Sequence, residues 1–229
     1  MLDDERPAKP APPLDPALFR GREPPGTDLS RIISLSDGVF AFALTLLALS
    51  LAVPSLGSLG GLSNQEVSGR LAAALQRDYT AFYGYVFAFV MIALWWVNHH
   101  RIFRFIERYD TTLIWLNLLL LLQIAVMPFV LNVYTTYGDT QTAVGLFSFI
   151  QATCGFTLGA IWWWASRGRR LTDPKLDPRI IHYFRLRGSI IPLFFLVAIG
   201  VTYVSVTGAE IVWIGALVSQ RFTGRYGTS

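Results

Sequence analysis

The sequence predicts an all-α membrane protein with six transmembrane helices per subunit, and three observations predict it. Of its 229 residues 53% are hydrophobic and only 15% charged, with a mean hydropathy of +0.45, whereas about a quarter of the residues of an ordinary soluble domain are charged. The apolar residues form long uncharged runs, and a helix of about 20 apolar residues matches the roughly 30 Å hydrocarbon core of a bilayer. Lysine and arginine gather in alternate connections between those runs, which is the signature of a chain that crosses repeatedly.

Taken in order, residues 1–30 read as a Pro-rich, disordered cytoplasmic tail. Seven of the twelve prolines lie within the first 27 residues, beside charges of both signs and without the apolar core of a signal peptide. The first span is expected over 31–53, uncharged from Gly38 onward and ended by Pro54 and a Gly/Ser-rich stretch. The second covers 79–98, the third 111–133 and the fourth 142–165. The fifth covers 188–204 with Pro192 near its start, a residue that neighbouring helices can accommodate. The sixth, over 206–218, would reach only about 20 Å at 1.5 Å per residue. A six-helix transmembrane domain over 31–222 is thus followed by a cytoplasmic tail at 223–229.

The charge count orients this arrangement. The tail through Arg31 carries five basic residues, the loop from Arg101 to Arg108 three, the segment from Arg167 to Arg187 seven and the C-terminus two. Only Arg70 and Arg77 fall in an outer connection, so both termini are placed inside. Tryptophan prefers the membrane–water interface, and Trp95, Trp96, Trp115, Trp162, Trp163 and Trp164 all fall toward the same, inner ends. A net charge of +4 and a pI near 9.4 therefore reflect membrane topology, not a nucleic-acid surface, and no nucleic-acid partner is expected. The single cysteine, Cys154, sits in an apolar run and excludes an intrachain disulfide.

Polar groups at membrane depth are costly and face protein or water. Arg31, Ser36 and Asp37 lead directly into the first span. Asp37 could simply cap a helix N-terminus, but Arg31 lies six residues away, about one and two-thirds turns round the helix, so each needs other partners. Candidates are Asn98, His99 and His100 beside Trp96 at the inner end of the second span, and Asn117 and Gln123 in the third. A polar network at the inner ends of the first three spans is the natural expectation. Adjacent His99 and His100 project in different directions, and no carboxylate is spaced to complete a metal site. On the first span Phe42, Thr45 and Leu49 share one stripe with Gly38 below and Val53 above. Periodicity leaves that stripe open as lipid face, bundle core or pore lining.

Arg31, three residues, then Leu35-Ser36-Asp37, with Thr45 eight positions after the aspartate, resembles the first-helix signature of the lysosomal-type potassium channel family, transmembrane protein 175 and its prokaryotic relatives. That signature has Phe where this chain has Leu35. The Trp95, Trp96, His99, His100 group, the Leu-rich third span ending near Met127-Pro128-Phe129, and the six-span layout are similar too, so the resemblance covers 31–222. It implies a potassium-permeable cation channel in the cell membrane, without a Thr-Val-Gly-Tyr-Gly filter, a stretch the sequence lacks. It also implies a homotetramer with the first helix of each copy around the axis, passing potassium and other monovalent cations with no cofactor. Phe42 then stands at the hydrophobic constriction, Thr45 at the family's threonine, and Leu49 at a further apolar layer. Arg31, Ser36, Asp37, Trp96, His99 and His100 fall to the structural motif and polar network.

Two rival functions fit the sequence less well. A proton-coupled or ion-coupled secondary transporter would use Asp37 and His99–His100 as a relay and the Pro192 helix as a broken element, yet the two halves show no internal repeat. A membrane enzyme fares worse, for the sequence has no His-Glu-x-x-His and no Gly-x-Ser-x-Gly.

Overall fold

The computed structural model describes residues 28–49, 51, 53–77 and 79–222. Most of the expected N-terminal tail, through residue 27, and all of the expected tail at 223–229 lie outside the described residues. Among the described residues there are seven α-helices: α1 (Ser30–Leu49), α2 (Asn64–Arg77), α3 (Tyr79–Phe103), α4 (Thr111–Tyr137), α5 (Gln141–Ser166), α6 (Pro178–Thr202) and α7 (Val206–Phe222). Five of them, α1 and α3 to α6, are long and apolar enough to cross a membrane, and the apolar stretch Val206–Ala216 of α7 is shorter.

Several helix bounds differ from the hydropathy reading, the largest difference being at the start of α6, where the cause is local. The fifth expected span began at 188, but α6 begins at Pro178. Asp177 accepts a hydrogen bond from the Arg179 amide at 2.8 Å, and Pro178 occupies the first turn, where its missing N–H costs nothing. The charges Arg179, Arg185 and Arg187 hid those turns from hydropathy. The first span was expected to reach 53, and α1 ends at Leu49.

Helix α2 was not anticipated. It begins with a reciprocal cap, the Ser63 amide and hydroxyl both donating to Glu66 at 2.8 Å while the Glu66 amide donates back to Ser63 Oγ at 3.3 Å. The Ser63 backbone and hydroxyl donors hold the Glu66 carboxyl below its ordinary value.

Small residues set the closest approach. A Cβ on Gly155 of α5 would lie 2.9 Å from Pro192 Cβ, and one on Gly159 only 3.4 Å from the Gly188 carbonyl of α6. The pair Gly155-x-x-x-Gly159 is thus matched antiparallel by Gly188-x-x-x-Pro192, so the backbones meet closely, as helices in lipid favour. Pro192 fits inside an unbroken α6 because Gly155 leaves its ring room. Polar ties fix the remaining rotations: Trp95 donates to Gln151 at 2.7 Å, Trp213 to Ser148 at 2.9 Å and Gln123 to Thr157 at 3.1 Å. At the far end Tyr134 donates to Glu210 at 2.6 Å beside the rings of Phe147 and Trp213. The core lies among α3, α4, α5 and α6, and α1 packs on α3 and α4.

Candidate functional site: the first helix and its polar anchor

Helix α1 has two unlike faces. Ser36, Phe40, Ala43 and Leu47 are buried, a spacing of four, three and four that puts them on one side of the helix. The opposite side carries Leu35, Gly38, Phe42, Thr45 and Leu49, all exposed in the protomer, with Phe42 at 64% and Leu49 at 79%. The three expected pore residues therefore share one face and none contributes to the protomer core.

Thr45 is the polar member of that face. Its hydroxyl donates to the Phe42 carbonyl at 2.8 Å, so the proton is spent along the helix. The oxygen lone pairs remain free to accept from, or coordinate, whatever lies beyond the face.

The buried side is anchored by hydrogen bonds whose direction can be worked out. Ser36 Oγ lies 2.8 Å from the Ile32 carbonyl, an acceptor only, so the hydroxyl proton goes there. Asn117 Nδ2 of α4 must then donate to Ser36 Oγ, at 2.9 Å. That turns Asn117 Oδ1 toward His99 Nε2 of α3, 2.9 Å away, and the Nε2 must carry a proton. Donation runs from His99 to Asn117 to Ser36 to Ile32, tying α3, α4 and α1 at one level. His99 is held in turn by stacking on Phe103 at 4.0 Å and by Phe40 at 5.7 Å.

A second, exposed link joins the same helices. Trp96 Nε1 donates to Asp37 Oδ1 at 2.8 Å, and His100 stacks on the Trp96 ring at 5.4 Å. Asp37 is thus tied to α3 by an indole. Of the expected network, Ser36, Asp37, Trp96, His99 and His100 come together with Asn117. Arg31 lies on the exposed side of the first turn with Asp28 as a nearby opposite charge, and Gln123 turns away to Thr157 of α5.

One polar cluster escaped the sequence reading. Asp110 caps α4 by accepting from the Leu113 amide at 2.9 Å, accepts from Trp164 Nε1 at 3.1 Å, and pairs with Arg170 at 3.6 Å. The signal was present as an aspartate immediately before the third apolar run, but Trp164 and Arg170 lie more than 50 residues away.

A bundle of five span-length apolar helices, with α1 at its side fixed on one face by a hydrogen-bonded network and bare on the other, defines a multi-pass membrane protein. The family model described as endosomal/lysosomal potassium channel TMEM175 matches residues 31–128, a stretch holding all but the first residue of α1 and the hydrogen-bonded network of Ser36, Asp37, Trp96, His99 and Asn117. A potassium channel of Streptomyces collinus is 31% identical over 179 residues, 76% of this chain and 82% of the relative. One from Chamaesiphon minutus is 29% identical over 186 residues, 80% and 88% of the two chains. The fold matches the crystal structure of a lysosomal potassium-selective channel TMEM175 homologue from Chamaesiphon minutus, with a TM-score of 0.69, 25% identity, and coverage of 85% of this chain and 97% of that one. The chain belongs to the TMEM175 family, a family of channels, and it is not an enzyme.

Proposed function

We propose that the protein is a passive, potassium-permeable cation channel, assembled as a homotetramer with α1 of each copy lining a central pore. The observation that carries this reading is the bare face of α1. An apolar stripe with one hydroxyl, Thr45, lies opposite a side pinned by Ser36, so four copies could close around an axis with Phe42, Thr45 and Leu49 turned inward. A single copy supplies only one such helix.

In that assembly the Phe42 rings form an apolar constriction that excludes water until it widens. Thr45 offers an acceptor oxygen one turn further along, where a partly dehydrated cation is held. A few hydroxyls replace a hydration shell incompletely, so selectivity is modest and does not depend on a Thr-Val-Gly-Tyr-Gly filter. Asp37, Trp96, His99, His100 and Asn117 set the rotation of α1 and do not touch the ion. Arg31 sits at the mouth of the first helix. Six helices, α1 and α3 to α7, cross the membrane, with both termini cytoplasmic in the cell membrane.

The test is flux and stoichiometry together. Purified protein in liposomes loaded with potassium should release it down its gradient with no proton or sodium gradient imposed, and cross-linking should trap four copies. Flux that appears only when a second ion gradient drives it would make the protein a coupled transporter. A stable monomer carrying full flux would remove the axial pore.

A further inference from the structure

Seven tryptophans occupy the chain, and five spend their indole N–H inside the protein. Trp95 donates to Gln151, Trp96 to Asp37, Trp162 to the Ile181 carbonyl, Trp164 to Asp110 and Trp213 to Ser148. The two others, Trp115 and Trp163, have no hydrogen-bond acceptor among the described residues and are also the most exposed, at 68% and 46%. Both lie at the end of the bundle where α1 and α4 begin and α5 finishes.

Trp163 has a further feature. The Arg167 guanidinium lies over its ring, 5.0 Å from the centroid, and among the described residues no carboxylate pairs with Arg167. One turn on, Arg170 stacks on Trp164 at 4.6 Å in the same way, but Asp110 neutralises it at 3.6 Å and takes the Trp164 N–H as well. The two Arg–Trp stacks thus have opposite fates, one internally satisfied and one open. The chain turns sharply between the two arginines, with Gly168 at φ +60° and Arg169 at φ +53°, so Arg170 swings in to α4 while Arg167 stays over the exposed ring. Along α5 the exposed side continues from Trp163 to Phe156 and Phe149, each seven residues apart and therefore stacked on one face.

We propose that Trp163 and Arg167 form a binding site for the headgroup of an anionic phospholipid. A guanidinium stacked on an indole keeps its edge N–H donors free, and these match a phosphate in planar, two-pronged geometry. The Trp163 N–H adds a donor at the depth of the phosphate and ester groups, where tryptophan partitions. Phe156 and Phe149 carry the acyl chain down the same helix face. A helix C-terminus alone would favour a cation at Arg167, but it explains neither the unspent indole N–H nor the apolar track below it.

The test uses the full-length protein, delipidated in detergent and titrated with phosphatidylglycerol or phosphatidylcholine, with bound lipid counted by native mass spectrometry. Wild-type protein should prefer phosphatidylglycerol. Arg167→Gln should weaken that lipid about fivefold, the scale of one arginine at an anionic membrane surface, and leave phosphatidylcholine unchanged. Trp163→Phe, which keeps an aromatic face under Arg167 and removes the N–H, should weaken it by a smaller factor, and this variant decides the matter if Arg167→Gln does not elute as folded protein. Arg170→Gln should leave the preference intact. Equal weakening by Arg167→Gln and Arg170→Gln would reduce the effect to general charge and overturn the site, as would an unchanged preference in Arg167→Gln. Displacement of the lipid by millimolar inorganic phosphate would make it a free-anion site instead, which also overturns it.

Discussion

Helices α1 and α5 are both apolar and both long enough to cross a bilayer, yet 56% of the α5 span is buried within the protomer against 22% of α1. Hydropathy does not separate them, because lipid solvates a leucine as well as a protein core does. What separates them is where the small and polar residues lie. Helix α5 presents Gly155 and Gly159 to α6, Ser148 to α7 and Gln151 to α3, and so is gripped from several sides. Helix α1 offers Ser36 to one side only, and its opposite face is Leu35, Gly38, Phe42, Thr45 and Leu49. The first helix is therefore held in rotation but left half uncovered, which suits a helix completed by other copies. The fourth span is a finished part of the protomer.

The contrast breaks most readily at the glycines. A Cβ on Gly155 already meets Pro192 at 2.9 Å, and Gly155→Leu adds three more carbons against a proline ring that is tied to its backbone and cannot swing aside. We expect a loss of about 3 kcal/mol or failure to fold, seen as a large drop in detergent melting temperature. An unchanged melt would mean that α5 and α6 do not pack through this pair.

A smaller effect belongs to the anchor of α1. Asn117→Leu keeps the branching of the side chain but leaves the His99 N–H without its acceptor and Ser36 Oγ without its donor in a buried site. The expected cost is about 1–2 kcal/mol. If α1 loses its rotational setting, channel current should fall more than the protein level does. Cysteine accessibility, scanned position by position along α1 in this background, should broaden from one face to several. An unaltered accessibility pattern would show that packing of Phe40 and Leu47 fixes the helix without the network.

How much of this could be read beforehand depends on the residue. Ser36, Asp37, Trp96, His99 and His100 stand out in the sequence because a polar group beside an apolar run demands a partner. Asn117 and Gln123 raise the same demand from one helix, and only helix rotation decides that the first meets Ser36 while the second meets Thr157. Hydropathy missed α2 because that helix is not apolar, although its Ser63-x-x-Glu66 cap is written in the sequence. It also missed the first turns of α6, whose Asp177-Pro178 start is equally plain. Both errors come from equating helix with span. The glycine pairings could not be read at all, since matching Gly159 to Gly188 requires knowing which helices are neighbours.

The smallest expected effect on the protomer is also the sharpest test of the bare face. Phe42 is 64% exposed and its ring contributes nothing to the protomer core, so Phe42→Ala should change protomer stability by no more than about 0.5 kcal/mol. Conductance should respond differently. In the proposed tetramer, four rings replaced by methyl groups would widen and wet an apolar constriction, and removing ~1.4 kcal/mol from the barrier to ion passage raises current about tenfold. Thermal melting and single-channel recording on the same preparation separate the two quantities. Raised current with an unchanged melt fits a residue that faces the pore and touches little in its own subunit. A lowered melt with unchanged current would place Phe42 in a packed contact away from the ion path. The bare side of α1 would then serve assembly and not permeation.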